Sequence, residues 1–218
     1  MKKIVMIGNG NYSKTLEYYI KEFTDWDIQA YADEFEHEHN CKNNGKPFVN
    51  INEVPKLFPS SEYDIVLAIG YSHMNDNRKR VYNKLKQWGY TFPNLIHPTV
   101  VLHNLKIGDA NVILENSSFG PNCILGSNNI IWAGVLILHD EKIGDHNNFS
   151  SGSLITGNVS VGNNCFLGIH STVKEGVFID DYTLVGANAY ITKDTQKYDV
   201  IVPARSIKLE NRKSIEFI

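Results

Sequence analysis

Every sixth residue from position 95 to position 191 is apolar: Leu95, Val101, Ile107, Ile113, Phe119, Leu125, Ile131, Ile137, Ile143, Phe149, Ile155, Val161, Leu167, Val173, Ile179, Val185 and Ile191. Hydrophobic residues are 42% of the chain, so an unbroken run at one spacing is a repeat and not a consequence of composition. A hexapeptide period belongs to a β-solenoid. Six residues supply one short strand and one corner, three hexapeptides close a triangular coil of 18 residues, and the apolar member points into the prism. Gly108, Gly126, Gly144 and Gly162 follow the beat at the same 18-residue interval, and Gly168 and Gly186 repeat on another face. Corners that need positive φ favour Gly, Asn and Asp.

The pattern before residue 90 is different. Residues 2–7 read as a strand, Gly8-Asn9-Gly10-Asn11-Tyr12-Ser13 as a glycine turn, and Leu16, Tyr19, Ile20 and Phe23 as one face of a helix. A second strand covers 26–31 and ends near Asp33 and Glu34. Residues 36–50 are polar and read as a loop, 52–57 as a short helix, 63–69 as a buried strand closed by Gly70, and 75–88 as a helix with Val81, Leu85 and Trp88 on one face. Strands alternating with helices, with glycines at strand C-termini, predict a small Rossmann-like α/β domain over residues 1–90, followed by a parallel β-helix over 91–218. Ligands of such sheets sit at the C-terminal strand ends, where Gly8, Gly10, Asn11, Asp33, Gly70 and Tyr71 are expected to gather. The turn's amides suit a phosphate, but Ser13 replaces the third glycine of a dinucleotide fingerprint, so a dinucleotide cofactor is not expected.

The net charge of −3, with acids and bases interspersed, argues against nucleic acid as a partner. No apolar run is long enough to span a membrane and the start does not read as a signal peptide, so the cytoplasm is the expected location. Cys41, Cys123 and Cys165 form no paired framework.

Within the repeat, chemistry should show as a residue that the repeat does not need. Leu138-His139-Asp140-Glu141 follows the beat residue Ile137 and places a histidine near a corner, where it can take a proton from an attacking amine or hydroxyl. Asp140 or Glu141 can orient the ring. One coil on is Gly157, whose amide would lie beside the imidazole, suited to a developing oxyanion and with room for a thioester. His97, His103, His146 and His170 are competitors. His103 precedes His139 by two whole coils, but a three-histidine zinc site would need a ligand where Gly144 stands, and no metal is expected.

Gly8-Asn9-Gly10, Gly45-Lys46-Pro47-Phe48-Val49, the hexapeptide run, His139-Asp140, Thr156-Gly157-Asn158-Val159 and Pro203-Ala204-Arg205 occur in that order. Together they resemble the bacterial nucleotide-sugar acyltransferases related to sialic acid O-acetyltransferase and bacillosamine N-acetyltransferase, over nearly the whole chain. The resemblance implies a homotrimer of left-handed β-helices, acetyl-coenzyme A in the groove between subunits, and an α/β domain that holds a nucleotide-linked amino sugar. It implies His139 as the base toward the sugar amine, Gly157 as the amide on the thioester oxygen, and Gly8, Gly10 and Asp33 near the nucleotide. Many members carry a second histidine nine residues after the first, where this chain has Asn148.

The expected activity is therefore acetyl transfer from acetyl-coenzyme A to the amine of a nucleotide-linked amino-deoxy sugar, by direct attack. Lys174, Lys193, Arg205 and Lys208 are candidates for the coenzyme A phosphates. O-acetylation of a sugar hydroxyl and a silent nucleotide-sugar-binding solenoid are the alternatives.

Overall fold

The computed structural model of the chain describes residues 1–35, 41–206 and 215. Its first part is a five-stranded sheet built from β1 (Lys3–Ile7), β2 (Asp27–Asp33), β3 (Lys42–Asn43), β4 (Lys46–Asn50) and β5 (Asp64–Leu67), with helices α1 (Asn11–Phe23), α2 (Val54–Leu57) and α3 (Asp76–Gln87). The strand order is β3-β4-β2-β1-β5, parallel except for the β3–β4 hairpin. Both sheet faces are covered, which is why the strands read as continuous apolar runs. Val5, Ile7, Ile65 and Leu67 pack against Val54, Val81 and Leu85 on one side. On the other, Ile4, Met6 and Tyr31 pack against Leu16 and Ile20 of α1.

The polar stretch read as a loop over 36–50 is corrected in its second half. Residues 36–40 lie outside the described residues, but β3 and β4 form a hairpin and β4 joins β2 as a further parallel strand. Asn44 and Gly45 turn it with φ of 47° and 76°. Asn-Gly is the commonest signal for such a turn, and Phe48, buried against the sheet, supplies the apolar anchor.

The second part is a solenoid of two-residue strands in three parallel sheets of six, five and seven strands. From Ile107 to Ile191 each beat residue is the second of its pair, and those from Ile113 onward are buried in one continuous core with Cys123, Val159 and Cys165. Successive coils pair 18 residues apart, as in Ile124 with Lys142 and Leu125 with Ile143.

The first two beat residues depart from this phase. Leu95 pairs with Val112 and Val101 with Ser118, a step of 17 residues, so both fall on the outward register and Ile96 packs against the solenoid core instead. Leu95 is buried beneath the α/β sheet. The shortening lies between Leu102 and the corner at Asn104, where His103 alone stands against Gly120 and Pro121 of the next coil. At the other end the beat is lost after Ile191, yet Val200–Ile201 still pairs with Leu184–Val185.

Corner chemistry also differs from expectation. Left-handed φ occurs at the third residue after the beat, at Asn128, Asp140, His146, Asn158 and Asn164 among others, and not at the repeated glycines. Those glycines are required by contact between coils. A Cβ on Gly126 would lie 2.7 Å from the Gly144 carbonyl oxygen, and one on Gly144 would lie 2.7 Å from that of Gly162.

The α/β domain docks on the outer surface of the seven-stranded sheet. Val112, Leu114 and Trp132 meet its apolar underside. Polar contacts lock the two: Asn75 Nδ2 donates to the His146 carbonyl at 2.6 Å, and Tyr19 Oη to Glu115 Oε2 at 2.6 Å. The fully buried Arg78 reaches from α3 to the carbonyls of Leu67 at 2.7 Å and Ala110 at 3.2 Å.

Candidate functional site

Three features carry chemistry: a large cavity at the strand ends, a smaller one beside it, and the His139 corner. The large cavity, about 550 Å³, lies at the C-terminal ends of β1, β2 and β5 and is lined by Gly8, Gly10, Asp33, Ile69, Arg80 and Val81 among others. Gly8, at φ 115°, leaves room for no side chain, since a Cβ would sit 2.6 Å from the Ala68 carbonyl oxygen. Gly10 caps α1 with no side-chain bond to the first-turn amides, and a Cβ there would meet only open space. An anion can therefore approach the helix N-terminus from this cavity.

Arg80 and Glu34 form a bidentate ion pair at the cavity wall, with both distances 2.6 Å. Hydrogen bonding to Arg80 lowers the Glu34 pKa, and the Glu34 carboxylate raises that of Arg80. In the sequence, Arg80 looks like one of several solvated bases on α3. Nothing there signals a partner 46 residues away.

Of the residues expected together, Gly8, Gly10 and Asp33 line the large cavity, whereas Asn11, Gly70 and Tyr71 line the smaller one of about 240 Å³ with Tyr12, Ile130 and Trp132. The division falls between Gly10 and Asn11 and between Ile69 and Gly70, so the two cavities flank the same pair of turns. The second turn is conformationally costly. His73, Met74 and Asn75 are all left-handed, with φ of 53°, 52° and 65°. Solenoid groups hold it: the His146 carbonyl accepts from Asn75, and Asn164 Nδ2 donates to the Met74 carbonyl at 2.8 Å.

His139 stands at the corner between the six- and five-stranded sheets, across the prism from the sheet that carries the α/β domain. Its Nδ1 is 2.9 Å from Asp140 Oδ2, and both side chains are about half exposed, at 49% and 44%. Asp140 takes the left-handed corner position, φ 62°. Asn122, one coil earlier, donates to its other oxygen at 2.9 Å. The Asn122 bond first, and His139 second, lower the Asp140 pKa, which keeps it an anion able to fix the ring with Nδ1 protonated. Nε2 is then left as the basic nitrogen.

Gly157 lies against that ring as the 18-residue spacing requires. A Cβ on it would stand 2.5 Å from His139 Cε1 and 2.6 Å from Nε2. The neighbouring amides are used: Thr156 donates to the Val173 carbonyl at 3.2 Å and Asn158 to the His139 carbonyl at 3.0 Å. Among the described residues the Gly157 amide has no backbone acceptor.

Glu141 does not share in orienting the ring. It is fully buried between Cys123 and Val159 in the solenoid core, neither oxygen makes a hydrogen bond of standard geometry, and desolvation, offset in part by the Val159 backbone, raises its pKa to about 8. The competing histidines are placed otherwise. His97 Nδ1 lies 2.9 Å from the Thr99 hydroxyl, and His170 packs over Gly152 at a different corner. His146 is buried under Tyr82 and pushed down to about 4, chiefly by desolvation. Among the described residues no group of three His, Cys, Asp or Glu is placed to hold a metal ion.

Lys174 and Lys193 are exposed on the edge that carries His139, Lys193 on the same corner column three coils on. Arg205 is exposed after the last strand, and Lys208 lies outside the described residues. Asn148 is buried and accepts from the Trp132 indole at 3.1 Å. Among the described residues no helix is long and apolar enough to cross a membrane.

Residues 3–85 match the PglD N-terminal domain family, residues 104–139 the bacterial transferase hexapeptide (six repeats), and residues 158–193 the hexapeptide repeat of succinyl-transferase. The chain thus matches a PglD-type N-terminal domain followed by two hexapeptide-repeat segments. Solved structures share this fold. PerB from Caulobacter crescentus, in complex with CoA and GDP-perosamine, is 24% identical with a TM-score of 0.80, over 93% of this chain and 95% of that one. The acetyltransferase domain of PglB from Neisseria gonorrhoeae FA1090 is 19% identical with a TM-score of 0.78, over 93% and 97%. WeeI from Acinetobacter baumannii AYE is 18% identical with a TM-score of 0.78, over 93% and 97%. The architecture is thus an α/β domain followed by a left-handed parallel β-helix.

Proposed function

We propose that the protein transfers an acetyl group from acetyl-CoA to the amine of a nucleotide-linked amino sugar. The observation that carries this is the His139 corner: an exposed imidazole, oriented by Asp140 at Nδ1, pressed against a glycine whose amide is free of backbone partners. The similar structures add support, since PerB was solved with CoA and GDP-perosamine and the PglB domain also with acetyl coenzyme A.

In this reading His139 Nε2 accepts the proton of the attacking amine as the N–C bond forms, and the C–S bond of the thioester then breaks. The Gly157 amide donates to the thioester oxygen while it carries negative charge. The proton passes from the imidazolium to the departing thiolate, which restores the base. Lys174, Lys193 and Arg205 meet the phosphates of the acyl donor. The nucleotide lies in the large cavity over Gly8 and Gly10, with Asp33 and Glu34 toward the ribose or base.

The α/β domain and His139 occupy opposite sides of one prism, so the two substrates meet at a contact between chains. The six-stranded face beside His139 exposes Val101, Leu136 and Tyr190, with Leu138 at its edge, an apolar surface suited to a second copy. A homotrimer with the acyl donor between neighbouring solenoids satisfies both, and sedimentation tests it.

The decisive assay measures free thiol release from acetyl-CoA with nucleotide-linked amino sugars as acceptors. Wild-type protein releases thiol only with an acceptor present, and His139→Ala abolishes this. Release with acceptor sugars that carry hydroxyls alone would replace N-acetylation by O-acetylation. Unchanged release in His139→Ala would end the proposed role of His139.

A further inference from the structure

Resting on the nucleotide-sugar reading, we propose that the smaller cavity holds the acceptor's sugar ring against the Trp132 indole, and that Asn148 is the positioning residue that holds that indole in place. The placement follows from continuity. The large cavity reaches Gly10 and Ile69, and the next residues, Asn11 and Gly70, line the smaller one. A nucleotide in the first, with its diphosphate over the amides of α1, points its sugar across those two turns into the second.

The chemistry of the second cavity suits a ring presenting its C–H face. Trp132 and Tyr12 lie with ring centroids 5.7 Å apart at 49°, and Tyr71 packs on Phe166 at 5.1 Å. These groups offer few polar atoms. The Tyr12 hydroxyl has no accessible surface, and Thr15 spends its hydroxyl on the Asn11 carbonyl at 3.3 Å. The Trp132 N–H is also spent, donating to Asn148 Oδ1, while Asn148 Nδ2 donates to Ser150 Oγ at 3.2 Å. Asn148 is fully buried, so its geometry is set by the coil and passed to the indole.

The test compares, by calorimetry, a bare nucleoside diphosphate with the same diphosphate carrying a hexose: UDP with UDP-glucose, and GDP with GDP-mannose. In wild type the sugar-linked form should bind more tightly. Trp132→Ala should remove that increment, about tenfold, and leave the bare diphosphate unaffected. Tyr71→Ala, at an exposed position, should reduce the increment with little risk to folding. Asn148→Ala should lower it in the wild-type background and have no further effect in Trp132→Phe, which has no N–H to hold. Asn148→Asp, which keeps the accepting oxygen, should retain it.

Equal losses for bare and sugar-linked nucleotides would show a merely structural role and overturn the proposal. So would an unchanged increment in Trp132→Ala, or an Asn148→Ala loss that persists in Trp132→Phe. Failure of every nucleoside diphosphate to bind would instead overturn the nucleotide-sugar reading itself, and this proposal with it.

Discussion

His139 and His146 stand seven residues apart in one coil of the solenoid, each just after a beat residue, yet they are chemically opposite. His139 is half exposed and paired with Asp140. His146 is buried, its Nδ1 2.9 Å from Asn128 Nδ2, with Tyr82 of the α/β domain against its ring. The repeat presents both at corners, His139 two residues after its beat residue and His146 three, at the left-handed position. The difference lies in what covers the corner. The α/β domain docks over the His146 corner and removes it from water, which holds the imidazole neutral. The His139 corner is left open. A solenoid offers many equivalent corners, and docking decides which of them can perform proton transfer.

The sharpest test of that contrast is His139→Asn, which should lower turnover by roughly 10²–10⁴-fold without moving the thermal midpoint, as measured by thiol release and calorimetric melting. Next in size, Gly157→Ala places a methyl where the imidazole lies. Turnover should fall about 10²-fold, from displacement of the base by a fraction of an ångström or more, with the KM for the acceptor sugar much less affected.

A third test uses Glu141, adjacent to Asp140 and turned inward. Its pKa is raised in the folded protein, so the stability linked to its protonation is fully present below about pH 4.5 and is lost as pH rises toward about 8. Glu141→Gln, compared with wild type in urea unfolding from pH 5 to 9, should gain on the order of 2 kcal/mol across that window. A constant difference would mean that the carboxyl is not titrating in the core. The smallest effect concerns His146. Its folded pKa is depressed, so it contributes stability above about pH 6.5 that is lost as pH falls toward about 4. His146→Gln should flatten that acid limb by about 1–2 kcal/mol while leaving thiol release at neutral pH within a few-fold of wild type.

Much of this was readable in advance because a repeat converts sequence distance into spatial distance. The 18-residue interval put Gly157 beside His139, and a Cβ there would touch the ring. It failed where the repeat itself slipped. One missing residue near His103 moved Leu95 and Val101 off the inward face, and no pattern of apolar positions shows that, because both residues are still apolar. The glycines were found for the wrong reason: their spacing was visible, but the cause is a neighbouring coil's carbonyl, not a corner angle. In the α/β domain the β3–β4 hairpin was missed because its strands are short and polar. The Arg80–Glu34 pair was missed because an ion pair between distant elements leaves no periodic trace.

The sequence by itself determined the solenoid, its coil length, the strand ends that form the cavities and the pairing of His139 with Gly157, since each depends on local spacing or on a fixed coil-to-coil offset. Only the tertiary structure decided which corner is buried, that Asn148 grips Trp132, and that the expected ligand residues divide between two adjoining cavities. Those outcomes depend on where one domain rests on the other. That contact is made by side chains from distant parts of the chain, whose meeting no short-range pattern encodes.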